Sequence, residues 1–264
     1  MKVIYFFIAS AIAFASCSPV KISIDDPQWE QQEEMDVKGR QGFLIKQKLS
    51  FGAYQTTVVK RSWTKGSGWK SSFYTGVDWM EEISLDYIKR RQSIRFQLSN
   101  GKGMESEVTA FTKARWRDLQ LGRNPNSLIN IIGDILNIGD ESMHTYAVRI
   151  MLSQEGAAWE MLIDNLAAQQ KAKTYKGVLA KSRNEYYVIK PIYTLKNKSG
   201  KSVPLPFGGS VGYSFVNQDG KTVAAVSLID KGKVYFGTTD ETEKFLLANA
   251  SAALLLQEPL DQGG

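Results

Sequence analysis

Polar and apolar residues alternate in short runs through most of the chain, and turn residues separate the runs, which is the period-two signature of strands with one wet and one buried face. Gly42–Lys48 and Ala53–Trp63 are the first such runs, hinged at Ser50-Phe51-Gly52, and Trp69–Thr75 is a short third. Residues 79–91 fit helix and strand equally. Ser93–Ser99 and Glu105–Thr112 flank Asn100-Gly101-Lys102-Gly103 as a hairpin. Residues 144–153 with 157–163, 174–181 with 185–194, and 211–217 with 222–229 form three more, and Lys233–Gly237 is a last short strand. Two stretches break the alternation. Leu128, Ile131, Ile132, Ile135 and Leu136 follow helical spacing, so Asn126–Ile138 reads as a helix ended by Gly139. From Phe245 to Leu256 every position is apolar or small except Asn249 and Ser251. Asp240 is placed to cap this second helix, with Glu243 closing a capping box.

A helix with no polar face is wrapped by protein or lies in lipid, and Phe245–Leu256 is too short for the about 20 residues of a membrane span. About twelve strands in sequential antiparallel pairs remove their edges by closing. A barrel of more than about eight strands has an interior to fill. The expected fold is therefore mainly β: a closed antiparallel barrel around the C-terminal helix, whose Ala248, Ala250, Ala252 and Ala253 let strands come close. The alternative is a β-sandwich with the helix packed across one end. Gly212-Tyr213-Ser214-Phe215, Gly220-Lys221-Thr222-Val223-Ala224 and Lys233-Val234-Tyr235-Phe236, leading into Phe245–Leu256, resemble the tubby-like architecture shared by tubby, phospholipid scramblase and LURP-one-related families. The resemblance covers about fifty residues, contains no invariant motif, and implies a twelve-stranded barrel threaded by its last helix.

The N-terminus changes the picture. Met1–Cys17 has one Lys, an apolar run from Val3 to Ala15, and then Ala15-Ser16-Cys17. That is the order of a secretory signal peptide. Its end resembles a bacterial lipobox, with Phe14 where Leu is commoner. The resemblance implies cleavage before Cys17 and a lipid on its sulfur; Ser18 after it implies the outer membrane. Cys17 is the only cysteine, and lipidation at the cleavage site accounts for it. The alternative is plain secretion with an incidental cysteine. The domain expectation is a signal peptide over 1–16, a lipidated acidic tether over 17–39, and one mostly-β domain over 40–264. Residues 1–36 hold two bases and six acids, leaving 31 bases and 21 acids, a net of +10, for the rest.

Candidate chemistry is sparse. With Cys17 lipidated and His144 the only histidine, no His/Cys metal set and no Ser-His or Cys-His nucleophile pair suggests itself, so no metal, cofactor or catalytic residue is assigned. Carboxylate pairs suited to glycoside hydrolysis are sought in Glu155, Glu160 and Asp164, and in Glu81, Glu82 and Asp86; strand-face and loop charges are the favoured reading of both groups. The stretch Pro204–Gly209 reads as an inter-strand turn. Aromatics mix with bases in Lys60, Arg61, Trp63, Lys65, Trp69 and Lys70, and again in Arg115, Trp116 and Arg117. Such residues suit an anionic membrane interface or an anionic glycan; nucleic acid is not expected as a partner of an exported chain, and no protein partner is indicated. Equally, Trp63 and Trp116 fit a core, with their basic neighbours alternating outward. The functional expectation is a lipid-anchored envelope protein that binds or scaffolds at the membrane surface without catalysis. A carboxylate-dependent hydrolase of envelope polymers is the alternative.

Overall fold

The computed structural model describes residues 21–41, 46–62, 93–114, 145–197, 199–206 and 208–257. In chain order the elements are β1 (Lys21–Ile22), β2 (Glu33–Asp36), β3 (Ser50–Phe51), β4 (Tyr54–Thr56), β5 (Lys60–Ser62), β6 (Ser93–Ser99), β7 (Glu105–Ala114), β8 (Thr145–Leu152), β9 (Trp159–Asp164), α1 (Asn165–Gln170), β10 (Gly177–Ser182), β11 (Glu185–Ile192), β12 (Thr194–Lys196), β13 (Ser202–Pro204), β14 (Gly212–Val216), β15 (Thr222–Ser227), β16 (Lys233–Phe236) and α2 (Glu241–Leu256). The main sheet runs β2-β16-β15-β14-β11-β10-β9-β8-β7-β6-β4-β3, with β5 continuing the β4 path along β6. Its two edges meet where Lys38 and Ser50 exchange backbone hydrogen bonds of 2.8 and 3.0 Å. The result is a nearly closed antiparallel barrel of twelve strands, as the alternation and the turns predict.

Every second residue of the wall faces inward, among them Ile94, Phe96 and Leu98 of β6, Tyr146, Val148 and Ile150 of β8, and Tyr213 and Phe215 of β14. The helix α2 fills the space they enclose. All its side chains from Phe245 to Leu256 are buried, and it touches β7 and β8 on one wall and β15 and β16 across from them. Phe51, Tyr54, Phe236 and Phe245 gather around its first turns, with Tyr54 5.9 Å from Phe236 and 6.2 Å from Phe245 between ring centres. The alanines in its middle are fully buried. The buried amide of α2, Asn249, is satisfied: its Nδ2 donates to Phe245 O at 2.8 Å and its Oδ1 accepts from Ser106 at 2.5 Å.

Five expectations change. The acidic stretch read as a solvated tether is part of the fold from Lys21 onward. Its strand β2 pairs with β16, Met35 and Val37 are buried, and its acids have cationic partners: Lys233 with Glu34 and Asp36, Lys244 with Glu33. Between β1 and β2 the chain crosses the outside of the barrel, where Ile22, Ile24 and Trp29 cover Ile192, Ala225 and Tyr235. Trp29 comes so close that a Cβ on Gly237 would stand 2.7 Å from its ring. Secondly, the Pro204–Gly209 turn is preceded by a strand, because Ser202–Pro204 joins β1 and β12 in a separate three-stranded sheet. Thirdly, a short helix, α1, follows β9, capped by Asp164, whose side chain accepts from Ala167 N–H at 2.9 Å. Fourthly, residues 46–48 of the first expected strand are not strand. Lastly, only half the capping box forms: Asp240 accepts from Glu243 N–H at 2.7 Å, but the Glu243 carboxylate takes the Tyr187 hydroxyl at 2.9 Å. Trp69–Thr75, residues 79–91 and Asn126–Ile138 lie outside the described residues.

Candidate functional site

Antiparallel order gives the barrel two unlike ends. At one, strands join through tight hairpins: Gly52-Ala53, residues 100–104, 153–158, 183–184 and 217–221. At the other, β5 leaves at Ser62 and β6 enters at Ser93, while β7 leaves at Ala114 and β8 enters at Thr145. Ser62, Ser93 and Phe111 lie side by side across three strands, so both exits are on one rim. The same rim carries α1 after β9 and the β12–β13 hairpin between β11 and β14.

Of the residues singled out for anionic-surface binding, Lys60 and Arg61 are described. Lys60 is exposed. Arg61 is half-buried, and its Nη2 donates to Gln47 Oε1 at 2.8 Å and to Leu256 O at 3.1 Å. This corrects the surface role expected of Arg61, since its guanidinium serves the inner helix. Cys17, Trp63, Lys65, Trp69, Lys70, Arg115, Trp116 and Arg117 lie outside the described residues, as does His144. Topology nevertheless starts both aromatic–basic stretches from this one rim.

The C-terminus of α2 points to the same rim, where its last four carbonyls need partners. Tyr146 Oη donates to Ala253 O at 2.7 Å, Gln257 N–H to Leu254 O at 3.3 Å, Arg40 Nε to Leu255 O at 3.1 Å, and Arg61 to Leu256 O. Two cations thus stand at the negative end of the helix dipole. Arg40 also donates from Nη1 to Leu228 O at 2.8 Å and Asp230 O at 3.0 Å. Burial holds the Arg40 pKa below its ordinary value and pushes the Tyr146 hydroxyl up. At Gly232, with φ +87°, an added Cβ would meet the Leu255 side chain at 2.4 Å, so the turn here tolerates only glycine.

Beside the rim, β1 and β12 set Lys21 directly opposite Lys196, with Lys201 at the tip of the β12–β13 hairpin, and all three are exposed. A cleft of about 430 Å³ adjoins this sheet, lined by Ser23, Asp25, Asp26, Lys173, Lys176 and Lys190 among others. Burial pushes the Asp26 carboxyl up, but the Thr222 and Gln28 N–H groups it accepts and the nearby Lys190 charge outweigh this and hold it low. Sequence reasoning missed this basic sheet because its strands are too short to show a period.

The acids weighed for hydrolysis have separate structural roles. Glu155 pairs with Lys181 at 2.9 Å and accepts from Trp159 Nε1 at 3.1 Å, and Asp164 caps α1. Glu160 is buried on the outer face of the wall, opposite Arg149. Burial pushes its pKa up to about 7, partly offset by the Arg149 charge. Glu160 and Asp164 stand four residues apart on one strand, about 13 Å between Cα atoms. Glu81, Glu82 and Asp86 lie outside the described residues. Compared with protein-family models, curated proteins and solved structures, the chain matches none.

Proposed function

We propose that this chain is a lipid-anchored cell-envelope protein, attached through Cys17 and probing an anionic surface, phospholipid or glycan, with one end of its barrel. Its role is binding or scaffolding, without catalysis, at the outer membrane. One observation supports this above the others: the strands leading into Trp63–Lys70 and Arg115–Arg117 end on the same rim. Two sequence stretches of the same mixed aromatic and basic character thereby become neighbours in origin. The tubby-like reading belongs to the same proposal and rests on the barrel and its threading helix alone.

Lipid labelling tests the anchor: Cys17→Ser abolishes it and releases the protein from the membrane fraction, and acyl incorporation that survives the substitution refutes the assignment. For the surface, the mature chain, residues 17–264, carrying Cys17→Ser is titrated with vesicles. Binding to anionic vesicles exceeds binding to neutral ones and falls steeply as salt rises, because charge attraction is screened over about 8 Å at physiological ionic strength. Lys65→Glu with Lys70→Glu weakens it, and Trp69→Ala lowers it with less effect on its salt dependence. Equal binding to both vesicle types at low salt removes the surface role.

A further inference from the structure

We infer that the small β1–β12–β13 sheet is the surface by which the anchored protein rests on an anionic bilayer, with Lys21 and Lys196 contacting headgroups. The inference rests on the reading of Cys17 as the lipidated residue and adds which face meets the membrane.

The argument starts from chain length. The first described strand begins at Lys21, and only residues 18–20 separate it from Cys17. Four Cα steps span at most about 14 Å. A lipid on Cys17 therefore leaves no room for the domain to stand off, and whatever surrounds Lys21 lies at headgroup level. What surrounds it suits that place. Lys21 faces Lys196 as a direct cross-strand pair, an arrangement of like charges that costs stability unless an anion lies between or beside them. Lys201 follows at the hairpin; none of the three makes a salt bridge among the described residues. The described carboxylate that acts on Lys21, Glu34, is held by Lys233. Every residue of β13 is exposed, and Val203, at 44%, is the most exposed large apolar side chain among the described residues. By register the two lysines lie on one face of the sheet and Val203, with Leu195 and Ile22, on the other. The sheet thus offers cations on one face and an apolar side chain on its outer strand. Its edge suits a headgroup layer, where phosphate and the upper acyl region lie within a few ångströms of each other. The sheet also grows from the rim that starts both aromatic–basic stretches, since β12 follows β11 and β13 leads back to β14 there.

The test uses the mature chain, residues 17–264, with Cys17→Ser, so that neither signal peptide nor lipid masks the surface. Two variants carry the same charge change: Lys21→Glu with Lys196→Glu, and Lys102→Glu with Lys221→Glu at the hairpin end. Binding to phosphatidylglycerol-containing vesicles falls by at least about thirtyfold for the first pair and stays within about twofold for the second. A polarity-sensitive fluorophore on Val203→Cys shifts to the blue on these vesicles, and one on Asp219→Cys does not. Equal losses from the two charge pairs, or a shift at 219 without one at 203, overturn the inference and leave anionic-surface binding standing. A parent that binds anionic and neutral vesicles alike removes both.

Discussion

At its N-terminus the central helix is capped by Asp240, three residues from the amide it accepts; at its C-terminus the caps Tyr146, Arg61 and Arg40 lie 107, 195 and 215 residues away in sequence from the carbonyls they hold. The two barrel ends differ in the same way. One is closed by hairpins whose turn residues act locally, and the other is assembled from distant pieces of chain. The local end can be built anywhere in a β protein and carries little information. The assembled end is where long connections, cations and the N-terminal sheet converge, and scaffolds present variable functional segments from such ends.

The comparison can be broken at four points. The largest effect is expected from Leu254→Asp, which puts an unpaired charge inside the barrel near the assembled end. The cost is several kcal/mol against a total of about 5–15, so folded protein is lost, and a melt like the parent's would mean that the helix is not enclosed. Next come Arg40→Ala and Arg61→Ala. Each leaves a buried carbonyl without its donor, about 1–3 kcal/mol, read as a lower urea midpoint at unchanged slope. Arg61→Lys should recover part of the loss, because both bonds leave from the single nitrogen Nη2 and an ammonium carries three donors on one nitrogen.

Between the ends, Glu160 gives a pH test. The folded chain keeps its proton up to about pH 7, whereas the ordinary value is 4.5. The folded state therefore binds more protons between these values, and stability falls as pH rises through that window. Glu160→Gln should flatten the fall, leaving the variant more stable than the parent at pH 8 by at most about 3 kcal/mol and equal to it near pH 4. A parallel pH profile for both proteins would show that Glu160 is ionised in the fold. The smallest effect is at the local end: Asp240→Ala should cost about 1 kcal/mol. If it costs more than Arg61→Ala, the contrast between the two ends is wrong.

The same contrast explains what could be read from the chain. Strands β6 to β11 and β14 to β16 were legible, because each alternates over enough positions to show a period and is bounded by turns such as Asn100-Gly101 and Asp219-Gly220. The helix α2 was legible from its unbroken apolar run and from Asp240. Strands β1 and β12 were not, having two and three residues. Strand β2 reads Glu-Glu-Met-Asp, which looks solvated until Lys233 and Lys244 are known to face it. Arg61 misled for the same reason. A cation next to tryptophan looks like a surface residue, and no local feature says that its acceptor is a helix end far along the chain. Of the candidate site, the residue types were legible and their common rim was not, since that depends on which strands are neighbours.

The filling of the barrel comes after all sixteen described strands in the chain. Until residue 256 has emerged, the wall has nothing to close around, and its inward faces have no partner. Folding therefore waits for the last element. In a chain exported behind a signal peptide, as expected from residues 1–16, that order delays compaction. A truncated product lacking α2 would be a wall without contents, open to proteolysis.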